Sequence, residues 1–196
     1  MKTAITWRIL DSKLGRMIGG ATNKGVCLLE FVDRKSLNTI LTKIEKKHRV
    51  SLLHGTTALL EKLQIEVIAY FSGEINQFSV PLDVRGTDFQ LEVWQELVKI
   101  PYGETRSYND IARAINRPSA VRAVGNANGD NNIGIIIPCH RVIGNDGDLT
   151  GYGGGLWRKK KLLDREKRYF RKFEGEESAN DCPVLFSQSS LEKWMD

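Results

Sequence analysis

The sequence of 196 residues is poor in cysteine and has no long hydrophobic run. Its three cysteines are odd in number and widely separated, which argues against a disulfide framework and predicts a reducing compartment. No apolar stretch approaches the roughly 18 residues that a membrane-spanning helix requires. The opening segment, MKTAITWRILDSKLGR, carries charges where a secretion signal needs an apolar stretch. We therefore expect neither secretion nor membrane association.

The sequence also lacks the residue spacings that are typical of metal and nucleotide sites. Cys27, His48 and His54 stand singly, without the C-x-x-C or H-x-x-x-H pairs of zinc sites. The segment GYGGG at residues 151–155 lacks the Lys-Ser/Thr that follows the glycines of a phosphate-binding loop. We therefore expect no bound metal and no cofactor.

The composition is that of an ordinary globular protein with a basic bias. It is 41% hydrophobic and 27% charged, and the chain is long enough for one domain or two small ones. The net charge is +5. Between Arg106 and Arg122 there are four arginines and a single acidic residue, Asp110. This local basic stripe favours a polyanionic partner more strongly than the overall charge does.

The first part of the chain predicts an α/β domain with an antiparallel sheet. The segments TAITWRIL, GRMIGGATN and GVCLLEFV are strand-like and are separated by short turn signals. Apolar residues then recur at helical spacing over residues 37–44 and 59–71. The polar stretch 72–88 is interpreted as a connector punctuated by Pro81. We expect an N-terminal domain at 1–80, a second domain at 81–166 and a tail of unknown role at 167–196.

The second part predicts two short helices joined by a tight turn. Residues 89–100 form one amphipathic helix pattern, and Ser107 with Asp110 fits the capping box of the next helix. Asn116-Arg117 predicts a break, with Pro118 in the first turn of a further helix that runs to about Gly125. This pattern fits a helix-turn-helix, although an ordinary helical hairpin fits equally well before charge is considered. The small residues on that last helix, Ala120 and Ala123, would let its backbone approach a groove.

The pair Cys139-His140 is the strongest chemical signal in the sequence. The apolar run Ile133–Ile137 predicts a buried strand before it and a glycine-rich loop follows it, a setting typical of a reactive cysteine. A structural cysteine beside an unrelated histidine is the alternative. Adjacent side chains diverge, so we expect a bridging water between the thiol and the imidazole, with Glu166 or another carboxylate orienting the ring. The basic run 158–161 predicts a solvated helix face, or less often a phosphate contact.

These motifs resemble those of the O6-alkylguanine-DNA alkyltransferases. The resemblance rests on PCHRVIG, on RAVGNANGDNN before it, on GYGGG and LLDRE after it, and on GTDFQLEVWQELVKIPYGETRSYNDIA. It covers about residues 84–166, and the pattern is most similar to the C-terminal half of the bacterial adaptive-response protein. The family fold implied is a ribonuclease-H-like N-terminal domain followed by a winged helix-turn-helix-like domain that carries the cysteine.

The resemblance implies a role for each matching residue. The Cys139 thiolate would take the alkyl group from O6 of guanine, and the substrates would extend to O4-alkylthymine. His140 would be the water-mediated base oriented by Glu166, while Asn131 shapes the site and Tyr108 supplies a proton to the departing base. Arg122 would enter the base stack. The other implied contacts are DNA-binding residues Ala120, Ala123, Ser107 and Arg106, and base-pocket residues Val142, Tyr152, Gly153 and Pro138.

The resemblance further implies a monomer that acts once per molecule on double-stranded DNA, through the minor groove. Its location would be the cytoplasm, at the nucleoid, in a prokaryote and the nucleus in a eukaryote. Two positions depart from many members: Asn132 replaces a proline, and Gly153 replaces a serine found in some. Three alternatives remain to be tested: a lesion-binding protein without catalysis, a winged-helix regulator, and a Cys-His hydrolase.

Overall fold

The computed structural model describes residues 4–173, and these form a mixed α/β protein with two compact units. One unit runs up to Arg85 and the other begins at Gly86. Cys182 and most of the predicted tail lie outside the described residues. Within residues 4–173, no helix is both long and apolar enough to cross a membrane.

The first unit is built on a four-stranded sheet in the order β3-β2-β1-β4. Strands β1 (Ile5–Leu10), β2 (Met17–Ala21) and β3 (Val26–Phe31) form the predicted antiparallel meander. The short strand β4 (Leu52–His54), which the sequence analysis did not identify, pairs parallel to β1. The parallel pairing is possible because a helix intervenes between the two strands.

Two helices complete this unit, both close to their predicted positions. Helix α1 (Leu37–His48) buries Ile40 and Ile44 in a cluster with Ile5, Ile18 and Leu28 of the sheet. Helix α2 (Ala58–Ser72) begins at Thr57, whose side chain accepts a hydrogen bond from the Leu60 backbone N–H, and ends at Gly73 in the left-handed conformation.

The predicted connector at 72–88 is largely part of the first unit. Phe78, Val80, Leu82 and Val84 are all buried, and the backbone pairs with β3 through hydrogen bonds of 2.8 Å from Val26 N to Pro81 O and 2.9 Å from Asp83 N to Val26 O. The apolar residues alternate with period two, which is the signature of an extended segment with one buried face. The connector prediction was wrong for residues 78–84 because it was based on the polar residues of this segment and overlooked the alternating apolar ones.

The second unit contains four helices and one short pair of strands among its described residues. Helix α3 (Asp88–Val98) begins with a capping box at Thr87 and Gln90. The predicted capping box of Ser107 and Asp110 is present at the start of α4. The remaining elements are β5 (Arg106–Ser107), α4 (Tyr108–Ala114), α5 (Val121–Gly129), β6 (Val142–Ile143), which pairs parallel to β5, and α6 (Leu156–Tyr169).

Helix α5 begins and ends later than the sequence predicted. The tight break is present, with Asn116 at φ 56°, but Pro118 precedes the helix. The Ala120 N–H donates to the Arg117 carbonyl at 2.9 Å, so Pro118 occupies the second position of a turn, which its fixed φ also suits. The helix continues beyond Gly125 because Val124, Ala127 and Asn128 form a buried face.

The segment Ile133–Ile137 is buried but is not a strand. Its backbone folds back on itself, with hydrogen bonds from Ile136 N to Gly134 O at 2.9 Å and from Ile137 N to Ile133 O at 3.0 Å. Ile135 has a φ of 71°, a conformation that costs energy in a β-branched residue. The strand prediction was wrong because an apolar run of this length shows burial without showing backbone conformation.

Candidate active site

Cys139 begins a short 3-10 turn, Cys139–Arg141, which we call the nucleophile turn. The residue is only 6% exposed. Its backbone is fixed on both sides: the Cys139 N–H donates to the Ile137 carbonyl at 2.8 Å, and its own carbonyl accepts from the Val142 N–H and from Asn128 Nδ2 at 3.4 Å. The position of the thiol is therefore set by this turn. The sequence had predicted that it would be set by the end of a strand.

The imidazole of His140 is paired with the carboxylate of Glu166, as the sequence analysis proposed. The Nε2–Oε1 distance is 2.8 Å, and both side chains are fully buried. An ionised carboxylate only accepts hydrogen bonds, so Nε2 carries the proton and Nδ1 holds the lone pair of the neutral ring. Nδ1 is buried and has no hydrogen-bond partner among residues 4–173. It is the one basic atom on this ring.

Arg141 is a third member of this cluster that the sequence analysis did not assign. Its Nε donates to Glu166 Oε2 at 2.9 Å and its Nη2 donates to Oε1 at 3.0 Å, a bidentate pair. Its Nη1 donates to the Ile100 carbonyl at 2.6 Å, and the Gly103 N–H gives Glu166 a further hydrogen bond at 3.1 Å. Together with the His140 contact, Glu166 therefore accepts four hydrogen bonds, from one imidazole N–H, two guanidinium N–H groups and one backbone N–H.

These contacts set the protonation states of the cluster. Burial alone would raise the pKa of Glu166, but the charge of Arg141, the adjacent His140 ring and the hydrogen bonds from both side chains hold that pKa far below its ordinary value. Burial lowers the pKa of His140, and this effect outweighs the opposing attraction of Glu166. At neutral pH the cluster is thus a carboxylate, a guanidinium and a neutral imidazole, with no net charge.

Two asparagines hold the segment before the thiol. Asn131, which the sequence analysis placed in the site, donates from Nδ2 to the Ile137 carbonyl at 2.9 Å and accepts from the Ile133 N–H at 2.9 Å. Its side chain thus closes the buried loop that leads to Pro138 and Cys139. Asn128 contacts the Cys139 carbonyl but was not predicted, because its position in the middle of a helix gave no sequence signal.

Tyr108 lies at the start of α4, and its hydroxyl is 3.4 Å from the carbonyl oxygens of both Thr150 and Gly151. Burial raises the pKa of Tyr108, and the nearby charge of Cys139 adds to that rise. Gly151 has a φ of 52°, and a Cβ there would lie 2.8 Å from the tyrosine hydroxyl. The close approach of the phenol to this loop therefore requires glycine.

The glycine-rich segment 144–155, which we call the pocket loop, forms the other side of the site. The Tyr152 ring is half-buried and lies edge-on to the His140 ring, with centroids 6.5 Å apart. Pro138 and Val142 are buried, whereas Gly153 is exposed. The structure thus brings Tyr152, Pro138 and Val142 to the region of the thiol and leaves the Gly153 backbone open to solvent.

The basic run 158–161 divides between solvent and interior. Lys160 and Lys161 are exposed, as predicted for a solvated helix face, but Arg158 and Lys159 are buried. Arg158 donates to the Gly154 carbonyl at 2.9 Å and lies over the Trp157 ring, whereas Lys159 reaches the carbonyls of Val142 and Thr150. The prediction was wrong for these two residues because a run of charges does not show which members face the core.

The residues expected to contact DNA lie at the start of α4 and on α5. Arg122 and Ala123 are exposed on α5, Ala120 is its N-terminal cap, and Ser107 caps α4. Three of the four arginines in the basic stripe are paired: Arg106 with Glu104 at 2.9 Å, Arg113 with Asp110 at 3.5 Å, and Arg117 with Glu92 at 3.0 Å. Within the described part of the chain, Arg122 alone of the four makes no ion pair.

The other described cysteine is chemically different. Cys27 is buried in β3, and its thiol contacts the Gly20 carbonyl at 3.5 Å. Burial, with a contribution from Asp83, raises the pKa of Cys27 to about 12. Since the thiolate is the nucleophile, this residue is inert at neutral pH. Residues 4–173 also contain no group of three His, Cys, Asp or Glu side chains that is arranged to bind a metal ion.

The fold and the site define a class of protein in which a buried cysteine and a His-Glu pair lie next to two short, solvent-facing helices. Residues 88–168 match the family described as 6-O-methylguanine DNA methyltransferase, DNA binding domain. The chain is 60% identical over 171 residues to the methylated-DNA--protein-cysteine methyltransferase of Mycolicibacterium paratuberculosis, an alignment that covers 84% of this chain and 94% of that protein. The chain belongs to the methylated-DNA–protein-cysteine methyltransferase family.

Further comparisons agree with this assignment. The bifunctional transcriptional activator/DNA repair enzyme Ada of Escherichia coli is 39% identical over 163 residues, which cover 83% of this chain and 46% of Ada. The crystal structure of Mycobacterium tuberculosis OGT in complex with DNA superposes with a TM-score of 0.69 at 44% identity, covering 84% of this chain and 94% of that one. The resemblance to the family is therefore confirmed over both units, beyond the residues 84–166 on which it was based.

Proposed function

We propose that this protein repairs DNA by moving the alkyl group of O6-alkylguanine to the sulfur of Cys139, once per molecule. The observation that carries the proposal is the buried Cys139 beside the His140–Glu166–Arg141 cluster in a member of this family. O4-alkylthymine presents the same kind of alkylated oxygen and is a second expected substrate. A thioether is stable, so the reaction stops after one transfer.

The protonation states support a direct displacement. His140 accepts the thiol proton at Nδ1 through a bridging water, because neighbouring side chains diverge. The thiolate then forms the S–C bond as the C–O6 bond breaks, and the bonding electron pair passes to the guanine. Tyr108 gives its phenolic proton to the guanine anion and recovers a proton from the His140 imidazolium. Bonds, charges and protons therefore balance without a cofactor.

Glu166 contributes by orientation in this scheme. Its negative charge stabilises the imidazolium that forms when the thiol is deprotonated, as the third member of a catalytic triad does. Arg141 keeps Glu166 ionised and fixes both of its oxygens. Asn131 positions the backbone that leads into Cys139. These are positioning roles, since none of the three side chains touches the reacting atoms.

The reaction requires the damaged base to leave the helix, because O6 lies within the stacked duplex where a thiol cannot align behind the alkyl carbon. We propose that Arg122 enters the stack in its place, since it is exposed and uncommitted among the described residues. Ala120 and Ala123 let α5 approach the minor groove, and Ser107 and Arg106 lie at the DNA backbone. We also propose that α4 and α5 belong to a winged helix-turn-helix and that the first unit has a ribonuclease-H-like fold.

The extruded guanine would enter the region between the nucleophile turn and the pocket loop. Tyr152 and Pro138 would flank the base, and the backbone at Val142 and Gly153 would read its polar edge. Gly153 offers a backbone N–H where some relatives have a serine hydroxyl, and Asn132 replaces a proline nearby. We propose that the protein acts as a monomer, at the nucleoid of a prokaryotic cell or in the nucleus of a eukaryotic one.

The test is the intact mass of the protein after incubation with a duplex that carries one O6-methylguanine. We expect a gain of one methyl group per chain that then stops. Cys139→Ala should abolish the gain, and the matched variant Cys27→Ala should retain it. Binding without a mass change would identify a lesion-binding protein instead, and DNA binding that is indifferent to both the lesion and Cys139 would identify a regulator. Turnover on esters or peptides would identify a hydrolase.

A further inference from the structure

A tight turn at residues 101–104, which we call the support turn, holds part of the buried cluster of the candidate site. Its Glu104 N–H donates to the Pro101 carbonyl at 3.1 Å. Gly103 has a φ of 80°, the left-handed conformation that a type II turn requires at its third position. The Gly103 N–H donates to Glu166 Oε2 at 3.1 Å. A change in this turn would therefore act directly on the carboxylate.

Tyr102 is a second contact between the support turn and the cluster. The residue is buried, and the Arg141 guanidinium lies over its ring, 5.6 Å from the ring centroid. The carbonyl of Ile100, just before the turn, accepts from Arg141 Nη1 at 2.6 Å. Burial raises the pKa of Tyr102 to about 12, so the phenol stays neutral beside Glu166. The support turn thus contacts both the guanidinium and the carboxylate.

Two phenylalanines that follow helix α6 cover the support turn. A Cβ on Gly103 would lie 2.6 Å from Cδ2 of Phe170, so only a glycine lets this ring lie directly on the backbone of the turn. The Phe173 ring meets the Tyr102 ring edge-on, with centroids 5.6 Å apart. Both phenylalanines belong to the C-terminal tail, for which the sequence analysis found no role. They also lie beyond residues 88–168, which match the family.

The two phenylalanines lie between solvent and the buried groups. Phe170 is 37% exposed and Phe173 is partly buried, whereas Tyr102 and Glu166 are buried. Each phenylalanine therefore meets water on one side and the support turn on the other. Apolar rings in this position keep water from the polar groups that they cover. Since burial is the main cause of the lowered pKa of His140, this exclusion of water bears on the base of the proposed reaction.

We propose that Phe170 and Phe173 are positioning residues for alkyl transfer: they hold the support turn against Glu166 and keep water out of the cluster, so that His140 remains a neutral base. This inference rests on the proposed function for its role in repair. The two rings act through the turn and the carboxylate, and they do not touch the reacting atoms. The beginning of the tail thereby becomes part of the site.

Shortening Phe170 to alanine should raise the pKa of His140 by two effects. Water that reaches the support turn competes for the Gly103 N–H, and a Glu166 carboxylate with one donor fewer attracts the imidazolium more strongly. Water also relieves the burial that lowers the pKa of His140. Full burial shifts a pKa by up to about 3–5 units, so we expect partial hydration to raise that of His140 by about 1 unit.

The direct test is an NMR titration of the His140 ring between about pH 4 and 9, on either side of the ordinary histidine pKa. It compares the wild type with Phe170→Ala, Phe170→Leu and Ile40→Ala. Phe170→Ala should move the midpoint upward by about 1 unit, and Phe170→Leu, which keeps an apolar cover, should move it much less. Ile40→Ala removes packing from the core of the first unit, so it should lower the thermal midpoint without moving the His140 titration.

An unchanged His140 midpoint in a folded Phe170→Ala protein would overturn the proposal, because a purely structural contact lowers stability without altering the base. If Phe170→Ala does not fold, Phe173→Ala gives the same comparison, since it removes the ring contact to Tyr102. The titration needs neither DNA nor an alkyl donor. A midpoint that moves in a protein that transfers no alkyl group would therefore separate failure of the proposed function from failure of this inference.

The single-turnover reaction with free O6-benzylguanine supplies a second readout. Because the neutral imidazole is the base, the acid limb of the rate profile should move upward in Phe170→Ala by the same amount as the NMR midpoint. The loss of rate relative to the wild type should thus be largest on the acid side. A loss that is equal at every pH would contradict the proposal, since it would show a distorted site whose base is unchanged.

Discussion

Replacing Arg141 by methionine should destabilise this protein more than replacing any exposed arginine. The change removes two charge-assisted hydrogen bonds to Glu166, at 2.9 and 3.0 Å, and leaves that carboxylate fully buried with His140 and the Gly103 N–H. Hydrogen bonds to charged groups are worth about 1.5–3 kcal/mol each. Breaking a buried pair by removing one partner costs about 3–5 kcal/mol. Two such bonds amount to about 3–6 kcal/mol, so the two estimates overlap at a loss of about 3–5 kcal/mol.

The pH dependence of that loss has a defined sign. The folded pKa of Glu166 lies below the unfolded value of about 4.3, so its contribution to stability is complete above about pH 5 and is lost as the pH falls. Arg141→Met raises the folded pKa and reduces the contribution. The gap in unfolding free energy between wild type and variant should therefore be widest at neutral pH and narrow as the solution is acidified.

Urea denaturation followed by tryptophan fluorescence measures this gap. Arg113→Met is the matched control, because its ion pair with Asp110 is exposed and is worth about 1 kcal/mol or less. The double variant Arg141→Met/Glu166→Gln removes the stranded charge and should recover part of the loss. A cost below about 1 kcal/mol for Arg141→Met, or a double variant no more stable than the single one, would refute the reasoning.

Three further predictions concern the proposed reaction. Arg122→Ala should slow repair of duplex DNA at least about tenfold while leaving the reaction with free O6-benzylguanine unchanged, and the change Arg117→Ala, at another exposed arginine, should do so much less; equal losses on both substrates would rule out a role in base extrusion. Tyr108→Phe should lower the single-turnover rate by about 10²–10⁴-fold, the usual contribution of a general acid, and a wild-type rate would show that the proton comes from elsewhere. Cys27, with its pKa raised to about 12, should escape iodoacetamide at pH 8 until urea unfolds the chain; labelling of the folded protein would contradict its burial.

The elements that the sequence predicted well are those fixed by neighbours along the chain. The meander β1–β3, helices α1, α2 and α3, and the capping box of Ser107 and Asp110 depend on periodicity and on side chains within about four residues. The failures share the opposite cause. Pro118 suited both a helix start and a turn, and the run Ile133–Ile137 suited both a strand and a folded-back loop, so the local pattern could not choose.

The site shows the same division. The motif around Cys139 and His140 singled out the two residues that we propose to react, and the resemblance placed Glu166 with them, where the structure has it hydrogen-bonded to His140. No local sequence pattern showed that Arg141 would neutralise Glu166, because the two residues are 25 positions apart. Asn128, in the middle of a helix, gave no signal either.

The sequence alone was enough to predict the mixed α/β class, the family and the cysteine that we propose as the acceptor, because periodicity, caps and an uncommon contiguous motif are written in adjacent residues. Only the tertiary structure shows which charged side chains of the basic segments are exposed to solvent. It paired Arg106, Arg113 and Arg117 with carboxylates and left Arg122 without an ion pair among the described residues. It also drew Lys159 out of a run of surface-like cations into the site. Burial and ion pairing depend on contacts between distant segments, which a linear pattern does not contain.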